Sequence, residues 1–344
     1  MSPARLWLTL FMAGFAAIAA LLVVTLLTPV PYGDLSRTGL LSEHAFGWRV
    51  DQPHIDPKYL RGSPPGEADI LIIGDSFSMS YSWQSVLTRA GYRVSTTYWG
   101  QLDEALCGDF DAWLDRASFH GRLVIVESVE RLLPERLENS HTCEHMKVPF
   151  GSDANPYHTY PERVPGFDLN WKAKISSGYI TYQNTRKAKK SARAIWSYKT
   201  TLVRPVPNGC ALFSHLSCNK ALFFSEDEMK RELTKQDVDR MRAFNQTHRA
   251  RPILWVIIPN KTTTYLKPDH SRDFAATLAR SDLGPELFSY AIEQKTKMRD
   301  FYFPNDTHLS THGQLALGQR VLEWVRPLVP PRTGDLHIAT PRTP

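Results

Sequence analysis

The sequence predicts an α/β fold: a doubly wound parallel sheet with an irregular insertion, carried behind one N-terminal transmembrane helix. Three observations predict it. Short apolar runs that read as buried strands alternate with amphipathic runs of helical spacing. The alternation lapses over about 134–225 and then resumes. Leu6–Leu27 runs for 22 residues without a charge. A helix of that length spans about 33 Å, enough for a hydrocarbon core of roughly 30 Å.

Arg5 precedes the apolar run and no Lys or Arg follows until Arg37, which places the N-terminus inside. A cleaved signal peptide is the rival reading. Its apolar region would be about 7–15 residues long and would end in a small-x-small site. The longer run here ends Leu-Leu-Thr-Pro-Val-Pro, which favours an uncleaved anchor over 1–28. Pro29, Pro31, Pro53, Pro57, Pro64 and Pro65 mark 29–66 as an irregular extracytoplasmic arm. The globular domain is expected over 67–330. It opens with a strand at Asp69–Ile73 and a helix carrying Met79, Trp83, Val86, Leu87 and Ala90 on one stripe, stopped by Gly91. A strand at Arg93–Tyr98 follows, then a helix with Leu102, Leu106, Trp113 and Leu114, then a strand at Leu123–Val126. The insertion, about 134–225, is rich in Pro, Tyr, His and basic residues and reads as short helices and loops. Beyond it come a polar helix near 226–249, the strand Ile253–Ile258, a helix near 284–294 and an extended stretch at Asp300–Phe303. A closing helix at Gln314–Val325 and a tail over 331–344 complete the chain.

The net charge is +6, from 41 basic and 35 acidic residues. Seven Lys and Arg fall between Arg186 and Arg204 with no acid among them. Such a run reads as a solvated helix face, or as a contact with anionic lipid headgroups or an acidic polymer. Nucleic acid is not expected as a partner of an exported domain. Four cysteines fit an oxidising compartment and allow three pairings. The preferred one joins Cys210 to Cys218 and Cys107 to Cys143. His141-x-Cys143-x-His145 has no second ligand pair at zinc-like spacing, so neither metal nor cofactor is expected.

The chemistry concentrates in two distant stretches. Gly74-Asp75-Ser76-Phe77-Ser78 breaks the first strand into a turn, where backbone N–H groups can face a developing oxyanion. Asn305-Asp306-Thr307-His308-Leu309-Ser310 lies about 230 residues later. Taken alone, Ser76 reads as a helix N-cap. Paired with this second stretch it reads as a nucleophile, with His308 as base and Asp306 fixing the imidazole. Asn305 is the alternative orienting group, His312 the alternative base and Ser78 the runner-up nucleophile. Ser76, Gly100, Glu127–Arg131 and Pro259–Lys261 all follow strand ends, which a doubly wound sheet gathers on one rim. Lys261 and Tyr265 are placed to reach it. Trp171, Tyr179, Tyr182, Trp196 and Tyr198 crowd the insertion, either as core or as a platform for sugar rings.

These residues resemble the SGNH (GDSL-like) hydrolase superfamily, and within it the branch of alginate O-acetyltransferases and related polysaccharide acetylation proteins. The blocks that carry the resemblance are Gly74–Ser78, Val124–Arg131, Pro259–Tyr265 and Asp306–Ser310, over roughly 68–326. It implies Ser76 as nucleophile, His308 as base, Asp306 as its partner, and an oxyanion hole from the Ser76 N–H and Gly100. The superfamily's Gly-x-Asn-Asp block is replaced by Glu127-Ser-Val-Glu-Arg131, with Arg131 as candidate donor in place of the asparagine. The implied function is a membrane-anchored periplasmic O-acetyltransferase that moves an acetyl group through an acyl-serine onto a cell-envelope or secreted polysaccharide. A polytopic membrane acyltransferase would present the acetyl donor, and the chain would sit in the inner membrane with its domain facing the periplasm or cell exterior. A carbohydrate acetylesterase with the same triad is one alternative. A non-catalytic polysaccharide-binding or export-scaffold module is the other.

Overall fold

A computed structural model describes residues 1–164, 169–171, 174–190 and 193–330; the expected tail at 331–344 lies outside them. The described strands are β1 (Ile70–Gly74), β2 (Val94–Tyr98), β3 (Leu123–Val129), β4 (Trp196–Tyr198), β5 (Thr201–Pro205), β6 (Lys220–Phe224) and β7 (Ile253–Ile258). The chain divides into two compact units. One comprises Met1–Gln52, Pro161–Met229 and Lys295–Ser310; the other comprises Pro53–Tyr160, Lys230–Gln294 and the chain from Thr311 on.

The second unit is α/β. Its sheet has the order β2-β1-β3-β7 with every pairing parallel. β1 runs Ile70-Leu-Ile-Ile-Gly74 with every residue buried. Leu71 and Ile73 join a core with Trp113, Leu114, Val238 and Phe274, while Ile70 and Ile72 point to the opposite face and are equally buried. A continuous apolar run covered on both faces is what a parallel sheet between helices requires. The chain leaves β1 for β2 at one edge and returns to β3 on the other side of β1. The gap between the ends of β1 and β3 is therefore a topological switch point, where open α/β sheets bind ligands.

Strand positions match the sequence reading to within a residue, except at β3. It was expected to end at Val126 but continues to Val129, pairing Glu127 with Val256 and Ser128 with Ile257. The polar pair imitates a strand end in the sequence; in the fold both side chains are buried and hydrogen-bonded. After β1 comes a 3-10 turn at Ser76–Ser78, so the expected helix is confined to Gln84–Arg89. Gly91 follows that helix at φ +92°. An added Cβ would meet open space there, so the cost of substitution is conformational. Gly91→Ala is expected to lower stability by about 1 kcal/mol in urea denaturation, with Gly91→Asn milder.

The first unit corrects the expectation of an irregular insertion. Residues within 134–225 form an antiparallel sheet, order β4-β5-β6, with Thr201 opposite Phe224 and Val203 opposite Leu222. Val203 and Leu222 pack with Leu35, Leu41, Ala45, Phe46 and Ala188. Four of those partners come from the stretch read as an irregular arm, which folds there into helices Asp34–Gly39 and Glu43–Phe46. The apolar helix extends over Pro3–Leu26, long and apolar enough to cross a membrane, at about 36 Å. Both preferred disulfides are formed, Cys107–Cys143 in the second unit and Cys210–Cys218 in the first, which fits an oxidising extracytoplasmic compartment.

Candidate active site

In the second unit, Ser76 opens the turn that follows β1 and is half-buried. Two carboxyls fix this turn from beneath. Asp75 accepts from Phe77 N–H (3.0 Å), from Val129 N–H (2.8 Å) and from Arg136 Nη1 (2.9 Å). Glu127 Oε2 accepts from Asp75 N–H (2.9 Å) and from Ser78 Oγ (2.7 Å), and Ser78 in turn accepts from Trp83 Nε1 (3.1 Å). Ser78 is therefore part of the core, fully buried, and its neighbour Ser76 is the more accessible hydroxyl. A Cβ at residue 74 would lie 2.3 Å from Ser78 Oγ, so only glycine admits this packing. Burial would raise the Asp75 carboxyl, but the Arg136 guanidinium and the two backbone N–H groups hold it below the ordinary range. Glu127 goes the other way: burial first, then the Asp75 charge, push it well above the ordinary range.

In the first unit, Asp306 and His308 sit in a tight loop closed by the pairing of Tyr302 with Leu309 and by Phe303 N–H on His308 O (3.1 Å). Asp306 Oδ1 lies 2.6 Å from His308 Nδ1 and also accepts from the His308 N–H (2.9 Å). Burial would raise the Asp306 carboxyl, but the charge and hydrogen bonds of His308, with the Asp34 N–H, bring it down to about 2. An ionised carboxylate can only accept, so Nδ1 carries a proton, and in the neutral imidazole Nε2 keeps the lone pair. This is the tautomer a general base needs.

Two residues absent from any sequence motif hold the loop. Asp34 accepts from Thr307 N–H (2.9 Å) and Thr307 Oγ1 (2.6 Å), while its own N–H donates to Asp306 Oδ2 (2.9 Å). Burial and the Asp306 charge raise the Asp34 carboxyl to about 6, against the pull of His308 and Thr307. Glu43 accepts from Tyr32 N–H (2.9 Å), Gly33 N–H (3.2 Å), Ser36 Oγ and both ways from Asn305 Nδ2 (2.9 and 2.7 Å). Asn305, expected as an alternative orienting group for His308, thus has its amide on Glu43. Burial raises Glu43 to about 7 despite these donors.

A pH dependence follows from Glu43. Its ordinary value is 4.5, so between about pH 4.5 and 7 the unfolded chain releases this proton while the folded chain keeps it. Stability contributed by the group is complete below that window and falls as pH rises through it. Glu43→Gln is expected to flatten this slope, which amounts to roughly 2–3 kcal/mol over the window. Urea midpoints of the full chain at pH 5 and pH 8 measure it. Asp34 adds a slope of the same sign that the variant retains.

Gly100, Arg131, Lys261 and Tyr265 fall in the second unit, after the carboxyl ends of its parallel strands. Gly100 is exposed in the turn Trp99–Gln101 after β2. Arg131 follows β3, with Nη1 3.5 Å from Asn260 Oδ1. Glu130 accepts from Asn260 N–H (2.8 Å), Thr263 Oγ1 (2.6 Å) and Ser271 Oγ (2.6 Å), pinning the loop after β7. Lys261 and Tyr265 lie in a short helix, Lys261–Tyr265, in which every residue is buried. His312 is half-buried at the start of the helix Thr311–Leu328. Of the insertion's aromatics, Trp171, Tyr179 and Tyr182 are exposed, while Trp196 and Tyr198 stack at 6.2 Å and are half-buried.

Asp34, Asp306 and His308 also bring potential metal-ligating atoms within 4.8 Å of one another. Those atoms are committed to one another and to Thr307, with Nδ1 facing Asp306, so the donor set reads as a hydrogen-bonded loop lock. Comparison of the chain with protein-family models, with curated proteins and with solved structures finds no match.

Proposed function

We propose that this chain is a serine O-acyltransferase of the SGNH type, anchored in a membrane and acting on a polysaccharide outside the cytoplasm. The observation that carries the reading is the Asp306–His308 pair, whose 2.6 Å contact turns Nδ1 to the carboxylate and makes Nε2 the proton acceptor of the neutral ring. The half-buried serine on a strand-end turn at the switch point of a parallel sheet supports it. Ser76 Oγ attacks the carbonyl of an acetyl donor as its proton passes to His308 Nε2. The Ser76 and Gly100 N–H groups stabilise the oxyanion, and the donor's leaving group departs with the proton from His308. A sugar hydroxyl, deprotonated by His308, then attacks the acyl-serine and releases the acetylated sugar and free Ser76. The disulfides and the apolar helix support an extracytoplasmic, membrane-held location. A polytopic acyltransferase would supply the acetyl donor.

A fluorophosphonate probe followed by peptide mass mapping tests the reading. Labelling at Ser76 that is lost in His308→Gln supports it. No labelling of wild type, under conditions that label a known serine esterase, would leave a polysaccharide-binding or scaffold role. Turnover of an acetylated chromogenic ester with and without oligosaccharide then separates the transferase from an acetylesterase with the same residues. Transfer to sugar in excess of hydrolysis identifies the transferase.

A further inference from the structure

The last turn of the apolar helix Pro3–Leu26 is built into the first unit. Thr25 is buried and its Oγ1 donates to Ile175 O (2.7 Å), and Asn170 N–H donates to Leu26 O (3.0 Å). The helix Ser177–Lys189 approaches so closely that a Cβ on Gly178 would lie 2.5 Å from Thr25 Cα. Between the two runs a pocket of about 490 Å³, whose lining includes Leu27, Pro29, Tyr182, Arg186, Lys189 and Lys190. Nothing in the proposed acyl transfer uses it.

We propose that this pocket binds the phosphate of an anionic phospholipid at the surface of the membrane entered by Pro3–Leu26. The inference rests on the anchor reading of that helix and is independent of the chemistry at Ser76. Three observations carry it. The pocket opens beside the end of an apolar span, where headgroups would lie. Its walls join aliphatic Leu27 and Pro29 to three cations, and among the described residues no carboxylate lines it. Among the described residues, Arg186, Lys187, Lys189 and Lys190 form no ion pair, so their charge is open to an outside anion. Beside it, Trp171 is 74% exposed, Tyr182 56%, Tyr179 49% and Ile175 42%. Aromatic rings left in the open at the end of a span are what a membrane interface selects, and clustered cations there select anionic headgroups. An acidic polysaccharide would match the cations but not the aliphatic wall or the exposed Ile175.

The test uses the full chain, purified in a neutral detergent and delipidated, with native mass spectrometry as readout. Dioctanoyl phosphatidylglycerol is expected to bind about tenfold or more tightly than dioctanoyl phosphatidylcholine, and the preference should weaken with salt. Equal concentrations of inorganic phosphate should not displace it. Joint replacement Arg186→Gln, Lys189→Gln and Lys190→Gln, all exposed positions, is expected to erase the preference while the melting temperature holds. The single change Lys190→Gln should reduce it in part and serves if the triple variant folds poorly. Equal binding of the two lipids, unchanged binding in the variants, or displacement by an oligouronate overturns the proposal. Flotation with pure phosphatidylcholine vesicles reports the anchor separately: a wild-type chain that floats yet shows no lipid preference refutes the pocket alone.

Discussion

Asp306→Asn is expected to fold as the wild type does and to lose acyl transfer by about 10⁴-fold in kcat, measured with a small acetyl ester. The reason lies in one contact. An ionised Asp306 can only accept, which obliges His308 Nδ1 to donate and, in the neutral ring, puts the lone pair on Nε2. An asparagine amide can turn its own N–H toward Nδ1, and the imidazole then holds its proton on Nε2, where it cannot act as base. The loop should survive, because Asn keeps an oxygen for the His308 or Asp34 N–H groups that Asp306 now serves. Since Asp306 is held near 2, it stays ionised throughout an ordinary assay range. The loss of rate should therefore exceed any fall in stability at every pH above about 4, whereas a purely structural role for Asp306 would make it follow stability. His308→Gln and Ser76→Ala are expected to be at least as severe, and the double variant no worse than either, because the two act on the same step. Additive losses would sink the serine-base reading.

How much of this was legible in the sequence depends on the range of the interaction. β1 and β7 were readable because unbroken apolar runs such as Ile70–Ile73 and Ile253–Ile258 suit only a strand covered on both faces. The Asp306-x-His308 contact was readable because it is local: two residues apart on a tight loop, the side chains meet without help from elsewhere. The partners of that loop were not. Asp34 and Glu43 reach Thr307 and Asn305 across sequence separations of 273 and 262 residues, from a proline-rich stretch whose composition suggested an arm. β4 to β6 escaped because β4 has only three residues, partly exposed, and β6 begins with a lysine. Glu127 and Ser128 hid the last turn of β3, since polarity in a sequence does not say whether a partner waits in the core.

One signal was present and unread. Leu133, Arg136 and Leu137 share the buried face of the helix Leu133–Thr142, and a cation in such a stripe announces a buried anion. Arg136 spreads its guanidinium over Asp75 (2.9 Å), Ser128 Oγ (2.7 Å) and Glu104 (2.8 Å) and lies 4.8 Å from the Trp99 ring. Arg136→Met is expected to cost about 3–5 kcal/mol at neutral pH, because it strands the Asp75 carboxylate in the core with two backbone donors only. Arg136→Lys should recover part of this, since one ammonium restores the charge but not the fork. Acidity should then discriminate between lost packing and lost charge. In the wild type Asp75 is depressed, so its contribution is present above the ordinary value of 3.8 and disappears as pH falls through the folded value. Without Arg136, burial dominates and Asp75 is raised, so stability is lost as pH rises. The gap between wild type and Arg136→Met should accordingly be widest near pH 7 and shrink toward pH 4 in urea denaturation. A gap independent of pH would mean that Arg136 matters as a filler of space beside Trp99, and the charge-held turn beneath Ser76 would have to be abandoned.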